Sequence, residues 1–360
     1  MRTSTLTDVR DNVSARTLAA LGEHTARFAE VGAPVEEFLL PARELLSGGK
    51  RLRAQLCAAG WLAAGHERTS EAVVLAGSAL ELFQATALVH DDVMDGSATR
   101  RGLPAAHRRF AGHHTTNAWL GEADSYGTAA AIVLGDLLLA LSAMELERAR
   151  ELVPPAAGRR AREIYDVMTA EVALGQYLDI RSQDLPWRDD GEELTRALQV
   201  VRHKSARYSV EHPLVLGAAL GGGDDDLLAA LSGVGLPLGE AFQLRDDELG
   251  VFGDPAVTGK PAGDDLREGK RTALVALTAA RVDATDRADL RRRLGRADLA
   301  PAEVGRLQDL IVASGALAEH GRLVEERREA ALRALDDAHL PGHARAAVAG
   351  LAEALTRRDA

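Results

Sequence analysis

The chain has 360 residues, 46% of them apolar and only 4% aromatic, and carries a net charge of −11 at neutral pH. That length allows one large domain or two, and the acidic balance argues against a nucleic-acid partner. With Cys57 as its only cysteine it forms no internal disulfide, which suits a reducing, cytoplasmic compartment.

Alanine, leucine, arginine and glutamate are abundant, and no good run of alternating β-branched residues occurs, so the pattern predicts an all-α protein. The composition favours a single domain over residues 1–360. Neither a basic-then-apolar leader nor an apolar run near ~20 residues is evident, so no export signal and no membrane span are expected.

Residues 1 to about 35 begin polar and turn helical in ARTLAALGEHTARFAEV. Residues 1–30 read as a loosely packed N-terminal segment, resting on the body or on a partner subunit; the sequence leaves that choice open. Residues 34–64 read as helix, break, helix, with Gly48 and Gly49 stopping the first helix at Ser47. Lys50 and Arg53 follow at the mouth of the next helix. Cations there oppose the helix dipole, which points to a bound anion, or more plainly to a pair of surface cations.

Residues 70–95 predict a long apolar helix ending in DDVMD. Asp91 and Asp95 are four apart, on one face, with Cβ atoms ~5–6 Å apart. Asp92 points about a quarter-turn away. Carboxylates so placed suit a hard divalent cation that takes its remaining ligands from phosphate and water, as Mg²⁺ does. Arg100 and Arg101 follow at once as planar phosphate donors. The plainer alternative is a solvated acidic helix end before a basic loop.

Residues 96–127 read as a long polar connection and a mobile flap, and His107, His113 and His114 within it lack supporting metal-ligand spacing. Residues 128–149 predict an apolar helix, in which Asp136 is expected to be a hydrogen-bonded structural residue. A further helix is expected over 159–182 after Pro154 and Pro155. GGGDDD at 221–226 is a turn and helix start. A second acidic pair, Asp246 and Asp247, ends the apolar run GVGLPLGEAFQLRDD, and a basic, glycine-rich loop carrying Lys260 and Lys270 follows. From 271 to 358 amphipathic helices break at Pro301 and Pro341, with no evident chemistry.

GGKRLR at 48–53, DDVMD at 91–95, GQYLD at 175–179, HKS at 203–205, FQLRDD at 242–247 and GKPAGDDLREGKRT at 259–272 stand in one order. On these motifs the chain resembles the trans-isoprenyl diphosphate synthases (the polyprenyl synthetase family), most closely those making geranylgeranyl diphosphate, from about residue 35 to at least 285. The resemblance implies one large helical bundle around a central cavity, the isoprenoid synthase fold. It also implies a homodimer.

By resemblance, isopentenyl diphosphate is held by Lys50, Arg53, Gln84 and Arg101. An allylic diphosphate (dimethylallyl, geranyl or farnesyl) is held by Arg100, Lys204, Lys260 and Lys270. The metal residues are Asp91, Asp92, Asp95, Asp246 and Asp247, carrying three Mg²⁺ ions. Gln176 and Asp179 support this network, and Lys204, Ser205 and Gln243 surround the reacting centre. Ser205 replaces a usual threonine. A larger departure is Gly250, where a third aspartate is usual; Asp254 is nearby.

By resemblance, the helix before Asp91 sets product length, since short-chain relatives carry aromatics one turn before this motif and stop at fifteen carbons. One turn back lie Thr86 and Ala87, both small, and two turns back lies Phe83. At ~5.4 Å per turn, Phe83 as a floor predicts a product of about twenty carbons. Two rivals are kept. A class I terpene cyclase shares DDxxD but needs no GGKRLR. A non-catalytic regulatory subunit of a heteromeric synthase would have decayed metal motifs, for which Gly250 is the one hint.

Overall fold

The computed structural model describes residues 6–188, 191–254 and 262–356. They form α1 (Leu6–Arg27), α2 (Ala33–Ser47), α3 (Leu52–Ala63), α4 (Glu71–Met94), α5 (Ala106–Thr116), α6 (Ala123–Glu151), α7 (Pro155–Asp184) and α8 (Glu192–Val200). A π-helical segment, Val201–Glu211, leads into α9 (His212–Leu220) and α10 (Asp225–Phe252). The remainder is α11 (Asp264–Glu268), α12 (Ala273–Arg281), α13 (Ala284–Arg293), α14 (Pro301–Ala313), α15 (Ala316–Asp337) and α16 (Gly342–Thr356). Two short strands, β1 (Thr99–Arg100) and β2 (Leu103–Pro104), make one hairpin. The all-α expectation holds.

The chain divides into two compact units. One comprises the described residues up to Glu163, with Pro213–Leu228 and Leu340–Ala347; the other comprises Ile164–His212, Ala229–His339 and the described residues from Val348 on. α7, α10 and α16 each contribute to both.

In the first unit α4 is the centre. Val73, Ala76, Ala79, Leu80 and Leu82 are fully or almost fully buried. Ser142 of α6 donates to the Ala79 carbonyl at 2.5 Å. Leu134, Leu138 and Leu141 of α6 pack with Leu82, Ala85 and Val89 in one cluster, joined by Phe110 of α5 and Leu39 and Leu46 of α2. α1 buries Val9, Val13, Thr17, Ala20 and Leu21, a helical stripe, so the N-terminal segment packs on the body. The fully buried Cys57 lies on α3, and burial pushes its thiol up to about 12.

Three expectations need correction. Residues 96–127 are not one open connection. They contain α5, whose Ala106, His107, Phe110, Ala111 and His114 are buried on one face. Two positions of that face are histidines, which hid the helical period. Asp136 is exposed, and the His90 Nε2 lies 3.7 Å from its Oδ1, too long for a hydrogen bond. Finally, α4, α6 and α10 are each long and apolar enough to cross a membrane by length and composition alone. For α4 the apolar length is explained by burial within the protein.

Among the described residues of the second unit two apolar clusters stand out. Val251, Leu266, Leu274, Leu290, Val304, Leu307 and Ile311 form one. Ala197, Val201, Ala241, Leu244, Ala273 and Val324 form the other. α10 runs on to Phe252, so Asp246 and Asp247 lie more than a turn inside the helix rather than at its end. Asp224 caps α10 by accepting from the Leu227 amide at 2.9 Å, the structural use expected of GGGDDD.

Candidate active-site residues

In the first unit the acidic motif closes α4. The Asp95 amide donates to the Asp91 carbonyl at 2.8 Å, and the Ser97 amide to the Asp92 carbonyl at 3.0 Å. The chain then makes a hairpin whose two central residues, Arg101 (φ 54°) and Gly102 (φ 75°), are both left-handed, as a tight two-residue turn requires. For Arg101 this backbone costs about 1–2 kcal/mol. The hairpin carries Arg100 back over α4, where its Nε donates to Asp92 Oδ1 at 2.9 Å and its Nη2 lies 3.6 Å from Asp91 Oδ2. Asp92 is buried; Asp91 and Asp95 are half-buried.

Arg101 Nη1 donates to the carbonyls of Leu45 (2.7 Å) and Gly48 (2.9 Å), the frayed end of α2. Its guanidinium is pushed below the usual arginine value by burial, and then by repulsion from Arg51, Arg100 and Arg53. Lys50 is exposed at the entry to α3, and Arg53 and Gln84 are half-buried. So the structure brings the GGKRLR cations and the Arg100–Arg101 pair into one neighbourhood. A like-charge cluster of this kind suits an anion.

Arg51 was not singled out from sequence. It is 2% exposed and left-handed (φ 52°). Its Nε donates to Ser14 Oγ of α1 at 3.0 Å, its Nη2 to the Leu46 carbonyl, and its Nη1 lies 3.5 Å from Glu81 Oε2. The signal was present: Glu81 is the lone carboxylate in the middle of an apolar helix, and a buried charge demands a partner. On α4 Phe83 and Thr86 are buried and Ala87 is half-buried. Thr86 donates its hydroxyl to the Leu82 carbonyl at 3.2 Å, leaving its methyl as the apolar surface.

In the second unit HKS falls inside the π-helical segment, not in an α-helix. Such segments are rare and frequent at functional sites. Its neighbours are glycines. A Cβ on Gly175 of α7 would lie 2.3 Å from the Lys204 amide nitrogen, and one on Gly239 of α10 would lie 2.3 Å from the Ala206 carbonyl oxygen. The wider helix is therefore met backbone to backbone. Lys204 Nζ donates to the buried Asp179 at 2.6 Å. Glu171 accepts from His203 (2.6 Å) and His212 (2.8 Å), with Arg207 at 3.1 Å. Burial would raise the Glu171 carboxyl, but these hydrogen bonds and Arg207 hold it below the usual range. Ser205 and Gln176 are half-buried.

Gln243 Nε2 donates to Asp247 Oδ1 at 2.8 Å. Burial pushes the Asp247 carboxyl well above its usual range, and repulsion from Asp265 and Asp246 adds to this against Gln243 and Lys270. Asp246 is exposed, as is Asp254. Lys270 Nζ lies 3.1 Å from Glu268. Lys260 lies outside the described residues.

Among the described residues no three histidine, cysteine or carboxylate groups gather into a metal site by themselves. That does not suit a cage-forming metal such as structural zinc. It does fit Mg²⁺, which takes one or two carboxylates and completes its shell with phosphate oxygens and water.

The sequence profile of the polyprenyl synthetase family matches residues 35–311. A geranylgeranyl diphosphate synthase of Mycobacterium tuberculosis is 34% identical over 296 residues, 81% of this chain and 76% of that protein. One of Sulfolobus acidocaldarius is 32% identical over 265 residues, 74% and 73% of the two chains. The crystal structure of geranylgeranyl pyrophosphate synthase from Corynebacterium glutamicum, complexed with isoprenyl diphosphate and magnesium, superposes with a TM-score of 0.92 at 37% identity. It covers 99% of this chain and all of its own.

Proposed function

The chain belongs to the polyprenyl synthetase family and is a prenyltransferase, and from that premise we propose that it condenses isopentenyl diphosphate with an allylic diphosphate to give a trans-polyprenyl diphosphate of about twenty carbons. The observation that carries the anionic-substrate reading is the cation cluster of the first unit, where a Cβ on Gly49 of GGKRLR would meet the guanidinium groups of both Arg101 (3.0 Å) and Arg51 (3.3 Å). Lys50, Arg53, Gln84 and Arg101 would hold the isopentenyl diphosphate. Arg100, Lys204 and Lys270 would neutralise the allylic diphosphate, with Lys260 as a further cation.

Asp91, Asp92 and Asp95 in one unit and Asp246 and Asp247 in the other are the residues assigned to Mg²⁺, three ions by family resemblance. When bound, Mg²⁺ supplies charge neutralisation for the departing diphosphate. The protein's own part is electrostatic. Lysine and arginine stabilise negative charge as the allylic C–O bond breaks, and the buried Asp179 fixes the Lys204 ammonium at 2.6 Å. The Ser205 hydroxyl and the Gln243 amide present dipoles to the allylic cation. The isopentenyl double bond attacks that cation, and proton loss to the departing diphosphate completes the step without a side-chain nucleophile.

Phe83, buried two turns before Asp91, would limit chain growth, with Thr86 and Ala87 leaving room above it. A homodimer is supported by an apolar stripe left exposed on α6, formed by Tyr126, Ile132, Val133 and Leu139. Cytoplasmic residence is proposed on the single-cysteine composition.

Product analysis with Mg²⁺, isopentenyl diphosphate and each allylic primer tests the reading. A C20 diphosphate formed only with metal is expected, and its loss with a chelator. Cyclised hydrocarbon, or no turnover by the isolated chain, would overturn it in favour of a cyclase or a regulatory subunit.

A further inference from the structure

One carboxylate of α7 gathers three side chains from the π-helical segment and its exit. Glu171 Oε1 accepts from His203 Nδ1 at 2.6 Å and from Arg207 Nη1 at 3.1 Å, and Glu171 Oε2 accepts from His212 Nε2 at 2.8 Å. An ionised carboxylate has no hydrogen to give, so both imidazoles are the donors. His203 and His212 stand nine positions apart. On an α-helix that is about two and a half turns, which sets them on opposite sides. A π-helix bonds each residue to the fifth along, and its wider turn brings the two to one side. The His212 amide does donate to the Arg207 carbonyl, five residues back. A single carboxylate therefore reaches both rings because the segment is π-helical.

The same face of α7 runs on to Lys204. Glu171, Gly175 and Asp179 follow at intervals of four, one row on the helix. Gly175 admits the π-helical backbone, and Asp179 holds Lys204 Nζ at 2.6 Å. The far end of the segment is held by α10. Ser232 Oγ donates to Glu211 Oε1 at 2.6 Å, and a Cβ on Gly235 would lie 2.7 Å from the Glu211 Cα.

We infer that Glu171 is a positioning residue for prenyl transfer: by bonding His203, Arg207 and His212 at once it selects the π register of Val201–Glu211, and that register aims Lys204 at the allylic diphosphate. This rests on the assignment of Lys204 to that diphosphate above. Glu171 acts through the segment and not on the substrate. Without it the segment can return to α-helical register, a rotation of about 100° for each residue of slip, which carries Lys204 away from Asp179.

The test compares the full chain with Glu171→Gln, Lys204→Ala, the two combined, His212→Gln and His212→Leu. Steady-state kinetics are measured with farnesyl diphosphate and isopentenyl diphosphate varied in turn, together with amide hydrogen exchange over residues 201–212. Glu171→Gln should lower kcat/KM for farnesyl diphosphate about 10- to 100-fold, with KM for isopentenyl diphosphate unchanged. It should also speed exchange in the segment about 10-fold or more. In the Lys204→Ala background it should cost almost nothing further, because its effect passes through Lys204. His212→Gln places an amide donor where Nε2 stood and should stay near wild type. His212→Leu should follow Glu171→Gln, and this pair decides the matter even if Glu171→Gln folds poorly. Wild-type kinetics in Glu171→Gln, fully multiplicative losses in the combined variant, or equal values for His212→Gln and His212→Leu would overturn the inference. Wild-type kinetics in Lys204→Ala would instead contradict the Lys204 assignment, and the exchange rates would still decide whether Glu171 holds the π register.

Discussion

Replacing Gly175 by alanine adds one methyl group where α7 crosses the π-helical segment, and its effect can be worked from the structure. The new Cβ would stand 2.3 Å from the Lys204 amide nitrogen and 2.5 Å from both Lys204 Cα and the His203 carbonyl carbon, where ordinary contact begins at 3.4 Å. All three neighbours are backbone, so no side chain can swing aside. The two segments must part by about 1 Å. Overpacking of this kind costs about 1–3 kcal/mol of stability. The same displacement moves Lys204 from Asp179, now 2.6 Å away. An error of ~1 Å in a positioned group can cost ~10²-fold in rate. We expect Gly175→Ala to remain folded, to lose several degrees in melting temperature, and to lose kcat/KM for the allylic substrate by about 10- to 100-fold. Differential scanning calorimetry and steady-state kinetics with the allylic primer varied provide both readouts. Wild-type kcat/KM together with a wild-type melting temperature would refute the backbone-contact argument.

Arg51→Met should destabilise the protein by about 3–5 kcal/mol in urea titrations, because it leaves the buried Glu81 unpaired, and Arg51→Met with Glu81→Leu should recover most of that loss. A loss under about 1 kcal/mol would show that the pair holds little. Glu23 accepts from Arg16 at 2.6 Å and from Arg148 at 2.9 Å, and its carboxyl is lowered from 4.5 to about 2, first by the Arg16 bond. Its folded value lies below its unfolded one, so its contribution is complete above pH ~4.5 and disappears as the pH falls toward 2. Because Glu23 is solvent-exposed, the gap between wild type and Glu23→Gln should be within about 1 kcal/mol at pH 7 and should close at low pH. A gap that persists unchanged at pH 2 rules out this origin. Phe83→Ala should shift the product distribution beyond twenty carbons by chromatography of the dephosphorylated alcohols, and an unchanged distribution removes Phe83 as the floor.

What the sequence determined by itself was periodic or contiguous. The apolar runs set α4, α6 and α10 because burying one face of a helix leaves a 3.6-residue trace in the chain. The acidic and basic motifs were legible because each packs its chemistry into a few neighbouring residues. Tertiary structure decided what depends on residues far apart in sequence. α5 escaped notice because two of the five residues on its inward face are histidines, and only the packing of α5 makes those rings interior. Arg51 reads as one more cation of GGKRLR until Glu81 and Ser14 are brought against it. Nothing local announces the π-helical form of Val201–Glu211, which is tolerated where Gly175 and Gly239 let neighbouring backbones close on it. Gly250 looks like a lost carboxylate in sequence. Only the fold brings the Asp265 side chain against that position, since contacts between residues fifteen apart leave no mark on either segment alone.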